Sequence, residues 1–293
     1  MIGWLLIGCT GALLPGERVL GDEVPASVIE GEAGSGFGSS VAIGVNADGE
    51  VTVLIGAPDV GQVMTVSASG EPGWRLSGEG AGFGTRVGWV GTHPWAWDPG
   101  RGLYWLEWFL PDEASTPGDT AVDVCADSEV LIRDGRGETV ACGEDGFIAT
   151  RCEGAVCAVE ALGSDLDGEE TSAGSAVGFW GDTACYGDAR VESDEARGDV
   201  RCEDGTKVSG EPGDHLGLAI GGGRVAGLFN RHLQPPRARI VPLEGGDVWV
   251  VDRAAERSRI SLDGGHGLFA VGVPGFGATE AREGRVYLME EDQ

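Results

Sequence analysis

Positive charge is what this chain has least of: 20 Lys and Arg stand against 48 Asp and Glu, for a formal net charge of -28, and Lys207 is its one lysine. So acidic a chain repels phosphate backbones and anionic headgroups, which excludes nucleic acid and direct membrane-surface binding as main roles. Long apolar runs are scarce too. The segment Ile2 to Leu14 is too short for an ordinary membrane span, and nowhere does the apolar spacing keep the extended period of a helical solenoid. The histidines His93, His215, His232 and His266 lie far apart, without a His-x-x-x-His or Glu-spaced metal pattern. Ser175 and Ser209 have glycine neighbours but not the strand-turn-helix setting of a hydrolase nucleophile. These absences exclude a compact enzymatic motif and leave open a site gathered from distant loops.

What the chain has is glycine, 53 of 293 residues among short β-branched runs, as suits an all-β fold dense in turns. Gly36 to Val66 is the clearest unit. It runs from a Gly-Phe-Gly opening through the loop Asn46-Ala47-Asp48-Gly49 to a strand ending at Gly56-Ala57-Pro58. Phe83-Gly84, Leu216-Gly217 and the run Leu268 to Pro274 echo parts of it. A glycine, or in one case an arginine, leading into a short apolar run closes each unit, at Gly61, Gly102, Gly154, Gly198, Arg237 and Gly284, with offsets of 41, 52, 44, 39 and 47 residues. Four short strands with tight turns take roughly 40 to 45 residues, so this period predicts a β-propeller of about six four-stranded blades. Seven blades, at about 39 residues each, are the tighter alternative.

Apolar pairs before glycine, at Val28-Ile29-Glu30-Gly31, Leu76-Ser77-Gly78 and Val208-Ser209-Gly210, read as outermost strands turning into the next blade. The last unit ends at Tyr287-Leu288-Met289 with no outer strand after it. Ring closure by an N-terminal strand on the last blade removes both free edges and is expected here. Residues 1–20 read as a leader and short linker and 21–293 as a single propeller domain, in which Asp112 to Asp167 form a blade stabilised by disulfides.

Phe37-Gly38, Asn46 to Gly49, Gly56-Ala57-Pro58 and Gly61-Gln62-Val63 together resemble an FG-GAP repeat, the unit of integrin-alpha-type propellers. The resemblance implies an extracellular propeller, commonly calcium-supported, that recognises partners, and it aligns Asn46 and Asp48 with the family's metal loop. Asp165, Asp167 and Glu169 form a second alternating set of oxygens around a glycine turn. At both places an ordinary Asx-Gly hairpin turn is the competing reading.

Leu6-Ile7-Gly8-Cys9 resembles a bacterial lipobox, which implies lipidation of Cys9 and an exported, envelope-anchored protein. A secretory signal cleaved near Pro25-Ala26 is the alternative. The other six cysteines are even in number, as disulfides in an oxidising compartment require. Equal spacings of 17 residues favour Cys125 with Cys142 and Cys185 with Cys202 as equivalent hairpins, leaving Cys152 with Cys157. A zinc site lacks a second cysteine pair or histidines at ligand spacing.

Trp89, Trp95, Trp97, Trp105 and Trp108 gather five of nine tryptophans in the second unit. They serve either as packing between blades or, at Trp95 and Trp97 in a Pro-flanked loop, as an exposed platform for a sugar or a protein. Arg197-Gly198-Asp199 matches the tripeptide of integrin ligands but opens a repeat strand, where chance explains it.

Together these features describe an exported, monomeric, non-enzymatic binding or scaffold protein that takes a protein or glycan through its loops and meets the membrane only through Cys9. The alternatives are a secreted polysaccharide hydrolase or lyase and a purely structural envelope lipoprotein. Non-reducing peptide mapping is expected to recover six bridged cysteines; free thiols throughout would overturn both the pairing and the export argument.

Overall fold

The computed structural model describes residues 16–78, 80–90, 92–98, 102–106, 138–143, 146–153, 156–161, 173–180, 183–188, 197–202, 204–229, 237–252, 260–274 and 283–291. Two short strands come first, β1 (Glu17–Val19) and β2 (Ser27–Glu30). An antiparallel sheet follows, built from β3 (Ser40–Val45), β4 (Val51–Ala57), β5 (Gln62–Ser67) and β6 (Pro72–Ser77). The second sheet holds β7 (Arg86–Val90), β8 (His93–Asp98) and β9 (Gly102–Trp105). The third holds β10 (Glu138–Gly143), β11 (Gly146–Glu153) and β12 (Val156–Ala161). In the fourth are β13 (Ala173–Trp180), β14 (Thr183–Asp188), β15 (Asp199–Cys202) and β16 (Lys207–Ser209). The fifth contains β17 (Ala219–Gly221), β18 (Arg224–Phe229), β19 (Arg237–Pro242) and β20 (Val248–Asp252), and the sixth β21 (Ser261–Gly265), β22 (Leu268–Val273) and β23 (Arg285–Glu290).

The first strands stand side by side in the order β7, β3, β21, β17, β13 and β10, and five of them line one opening. Radial meanders with their first strands around an opening make this chain a β-propeller. Each of the six positions singled out by the period, five glycines and Arg237, leads into the third described strand of its sheet. The expected outermost strands are β2, β6 and β16. β2 runs antiparallel to β23, from Ser27 opposite Leu288 to Glu30 opposite Arg285, so the N-terminal strand completes the last sheet. An Arg285–Glu30 ion pair of 2.6 Å marks that register.

Three blade-to-blade joints repeat one design. The N–H of Gly31, Gly78 and Gly210, just past an outer strand, donates to the carbonyl of Gly284, Gly61 and Gly198 before the third strand of the same sheet. The chain then drops a buried apolar residue, Phe37, Phe83 or Leu216, into the joint. The next residue is Gly38, Gly84 or Gly217, each at positive φ. Its carbonyl lodges against a glycine on the second strand of the preceding sheet, Gly272, Gly56 or Gly187, where a Cβ would collide with it. At two joints a serine of the preceding first strand satisfies that carbonyl, Ser261 to Gly38 and Ser40 to Gly84, both at 2.9 Å. A buried carbonyl left unpaired would be costly, so glycine and serine act together.

The apolar core accordingly lies between sheets. Val53 and Ile55 of the first sheet pack with Ala270 and Leu288 of the sixth, while Trp249 and Ile240 of the fifth pack with Phe269 and Val271 on the sixth sheet's other face. Alternating side chains on each β-branched strand serve two neighbours at once.

β1 lies inside the segment 1–20 and adds a fifth, parallel strand to β20. Its Glu17 carboxylate sits 3.0 Å from Arg239 Nε, and Asp214 Oδ2 lies 2.6 Å from the Arg239 Nη1, with all three side chains less than a tenth exposed. Asp214 also accepts the Glu211 N–H at 2.8 Å. Breaking a buried pair leaves an uncompensated charge, so Arg239→Met is expected to lower unfolding free energy by about 3–5 kcal/mol. Gly272→Ala forces backbone apart and is expected to cost about 1–3 kcal/mol. Urea denaturation measures both, and a wild-type midpoint in either variant would count against the corresponding joint.

Candidate functional site: the central opening

The first strands enclose a cavity of about 720 Å³, a volume within the usual range for small-ligand sites. Much of its wall is backbone. Gly88, Gly178, Gly221, Gly264 and Gly265 all line it, and at Gly178 and Gly221 the neighbouring first strand comes so close that a side chain would overlap its carbonyl.

Two charged residues on this wall, Asp263 and Arg224, are held by the fold. Asp263 accepts the Ile43 N–H at 2.6 Å through Oδ2 and the Gly264 N–H at 2.9 Å through Oδ1. It therefore pins β21 to β3 across two sheets. Arg224 lays its guanidinium 3.3 Å above the Trp249 ring and donates to the Asp247 carbonyl at 3.1 Å. Burial pulls the pKa of this guanidinium below its ordinary value, down to about 10, with the Asp247 carboxylate opposing the shift. Trp249 in turn meets Phe269 edge-on at 5.3 Å.

Trp95 and Trp97 need correcting as an exposed loop pair. Both lie on β8, Trp97 is half-buried, and Trp95 is 4% exposed. The Trp95 indole covers Gly88, with which it is in register, at the cavity wall. Its Nε1 is buried with no acceptor among the described residues. Trp89 covers Gly44 in the same manner and donates to the Ala42 carbonyl at 3.4 Å. Those indoles are packing, each laid over a glycine in a first strand.

The turn at Asn46 is a hairpin link between β3 and β4. Asn46 Oδ1 accepts the N–H groups of Asp48 and Glu50 at 3.0 and 2.9 Å, and Gly49 takes a φ of 81°. Among the described residues no group of three or more His, Cys, Asp or Glu is placed to hold a metal. Asp165, Asp167 and Glu169 lie outside the described residues, as do Cys9, Cys125, Trp108 and His232.

Cys185 and Cys202 form a disulfide between β14 and β15. Cys152 and Cys157 stand opposite each other in the β11–β12 register. The Cys185–Cys202 bridge is the one expected from the 17-residue spacing; Cys142 lies on β10, and its expected partner Cys125 is outside the described residues. Gly198 of the Arg-Gly-Asp tripeptide is buried against Leu216, and Asp199 pairs with Lys207 at 3.1 Å. His215 is buried at φ 46°, and His266 is exposed at φ 55° in the β21–β22 turn.

Trp180, Arg224, Glu244 and Glu291 also line the opening. They come from three sheets, Arg224 and Glu244 both from the fifth, and belong to no sequence motif; only the fold brings them together.

No protein-family model matches the chain, and no curated protein matches it. Among solved structures it is similar to the β-propeller domain of Cps50 (Swd1) from Myceliophteria thermophila, at 13% identity over 90% of this chain and 99% of that one, with a TM-score of 0.41. A putative TolB from Agrobacterium tumefaciens matches at 12% identity over 92% and 91%, with a TM-score of 0.41. Virginiamycin B lyase from Staphylococcus aureus matches at 11% identity over 90% and 99%, with a TM-score of 0.39.

Asn46→Ala removes the acceptor of two turn N–H groups and is expected to cost about 1–2 kcal/mol. Thermal unfolding with and without the substitution measures it, and an unchanged melting temperature would show that the turn holds without that side chain.

Proposed function

We propose that this is an exported, non-enzymatic binding or scaffold protein, a closed six-bladed ring of the FG-GAP type that recognises a protein or glycan at its central opening and the loops around it. One observation carries the reading. The innermost carboxylate of the opening, Asp263, has both oxygens engaged by backbone N–H groups that tie two sheets together. Bound to backbone at both oxygens, this carboxylate holds the wall rigid. A rigid wall suits recognition.

The FG-GAP reading draws support from Phe37-Gly38 and Phe83-Gly84, which occupy the same place at two joints, with Leu216-Gly217 at a third. Export draws support from the Cys185–Cys202 disulfide, since such bonds persist in oxidising compartments. A lipid on Cys9 would stand a few residues along the chain before β1, the first described strand. Calcium would act at the Asn46–Glu50 turn or the acidic loop Asp165–Glu169, where millimolar calcium would then raise the melting temperature above that in chelator.

The test combines turnover and binding. Incubation with a polysaccharide panel is expected to release no reducing or unsaturated ends, while immobilised protein retains a glycan or protein ligand without altering it. Product release that disappears in Glu244→Gln or Glu291→Gln would replace this reading with a hydrolase or lyase.

A further inference from the structure

One mouth of the opening gathers groups from three sheets. Trp180, at the end of β13, is half-buried against the fourth and fifth sheets' core and lies 3.6 Å from where a Cβ on Gly223 would stand. The Gly223 carbonyl accepts the Leu243 N–H at 2.9 Å, which sets Glu244 beside the same turn. Gly222 meets Gly264 across the joint between the fifth and sixth sheets. The Glu291 N–H donates to the Gly267 carbonyl at 3.0 Å, which brings Glu291 to the neighbouring turn. Trp180, Arg224, Glu244 and Glu291 therefore surround a floor of glycines, and all line the cavity.

Gly265 differs from the packing glycines. Its φ is not in the left-handed region and a Cβ there would meet nothing within 4 Å. The fold does not require glycine at this position, yet the site keeps the space beside it open.

We infer that this mouth binds a neutral oligosaccharide segment, with a sugar ring stacked on Trp180 and its hydroxyls shared among Arg224, Glu244 and Glu291. The inference rests on the binding role proposed above and names the ligand class. A half-buried indole beside a side-chain-free floor offers a flat apolar face for a sugar ring. Sugar hydroxyls both donate and accept, and this rim provides a donor in Arg224 and acceptors in the two glutamates. A polyanion meets a chain of net charge -28. A cation meets the fixed guanidinium of Arg224, while Glu244 and Glu291 are exposed and well solvated, so they gain little by pairing with it.

The full chain is titrated with cellotetraose, maltotetraose and tetra-N-acetylchitotetraose, followed by saturation-transfer NMR and tryptophan fluorescence. At least one is expected to bind, with affinity falling by about tenfold or more in Trp180→Ala. Gly265→Leu is expected to abolish binding while keeping the wild-type melting temperature, which separates occlusion from misfolding. Silence of all three probes and of a neutral-glycan array overturns the inference, as does binding unchanged in both variants or confined to a tetragalacturonate or a chitosan tetramer. A protein ligand retained at the loops despite glycan silence leaves the binding role standing and this site refuted, whereas turnover of a bound oligosaccharide refutes the non-enzymatic role and keeps the site.

Discussion

The fold depends on one contact: a glycine carbonyl from the opening of one blade buried against a glycine in the second strand of the blade before it. At Gly38 this contact meets Gly272, and Ser261 supplies the hydrogen bond that the buried oxygen needs. A side chain at either position would push two sheets apart and open the apolar layer between them, where Val53 and Ile55 face Ala270 and Leu288. Close packing then does the rest, because a propeller sheet has no core of its own and is stable only with a neighbour on each face.

The same dependence explains the two N-terminal strands. A ring that relies on contacts between neighbours is weakest where the chain's ends meet, and here the N-terminal segment spans that place. β2 completes the sixth sheet and β1 extends the fifth, so one stretch of chain ties adjacent sheets. The buried Arg239 holds Glu17 of this stretch and Asp214 of the preceding loop. Replacing such a group by a well-packed apolar side chain is often neutral or stabilising, provided that both partners change with it. Its value here lies in register: only one alignment of β1 puts Glu17 against Arg239, and the same alignment sets Arg18 3.2 Å from Asp247 and buries Leu20.

Much of the fold was legible because its constraints are local. Glycine at a joint and a small residue before a third strand recur at a period set by chain length per blade, and both survive as spacing in the sequence. The outer strand at Val28-Ile29 was legible for the same reason. What the sequence hid depends on which neighbour a residue faces. Pro94 signalled a loop around Trp95, yet it sits near the start of β8 opposite Trp89, where a lost N–H is tolerated. The strand continues through Trp95 and Trp97, so the exposed platform expected there is largely wall. β1 left no period to read, being a single short strand in parallel pairing. The 17-residue cysteine spacing was legible at Cys185 and Cys202, which bridge two neighbouring strands of one sheet. Of the cavity rim, Trp180 and Arg224 carry no pattern, since residues brought together by the opening are far apart along the chain.

Glycine therefore has two roles in this molecule that the sequence alone cannot separate. Gly272 is required because backbone presses on it; Gly265 is not, because nothing does. Both lie in the sixth sheet, and both read as ordinary small residues in a glycine-rich chain. The distinction is physical, and it divides the opening into a part that holds the ring and a part that the ring holds open. Asp263 belongs to the first, with both carboxylate oxygens bound to backbone. Gly265, two residues on, belongs to the second. A strand that fixes two sheets at one position and leaves unfilled space at the next same-facing one is a rigid edge to a vacant volume, the arrangement in which a ligand finds its partners already in place and little conformational freedom is lost when it binds.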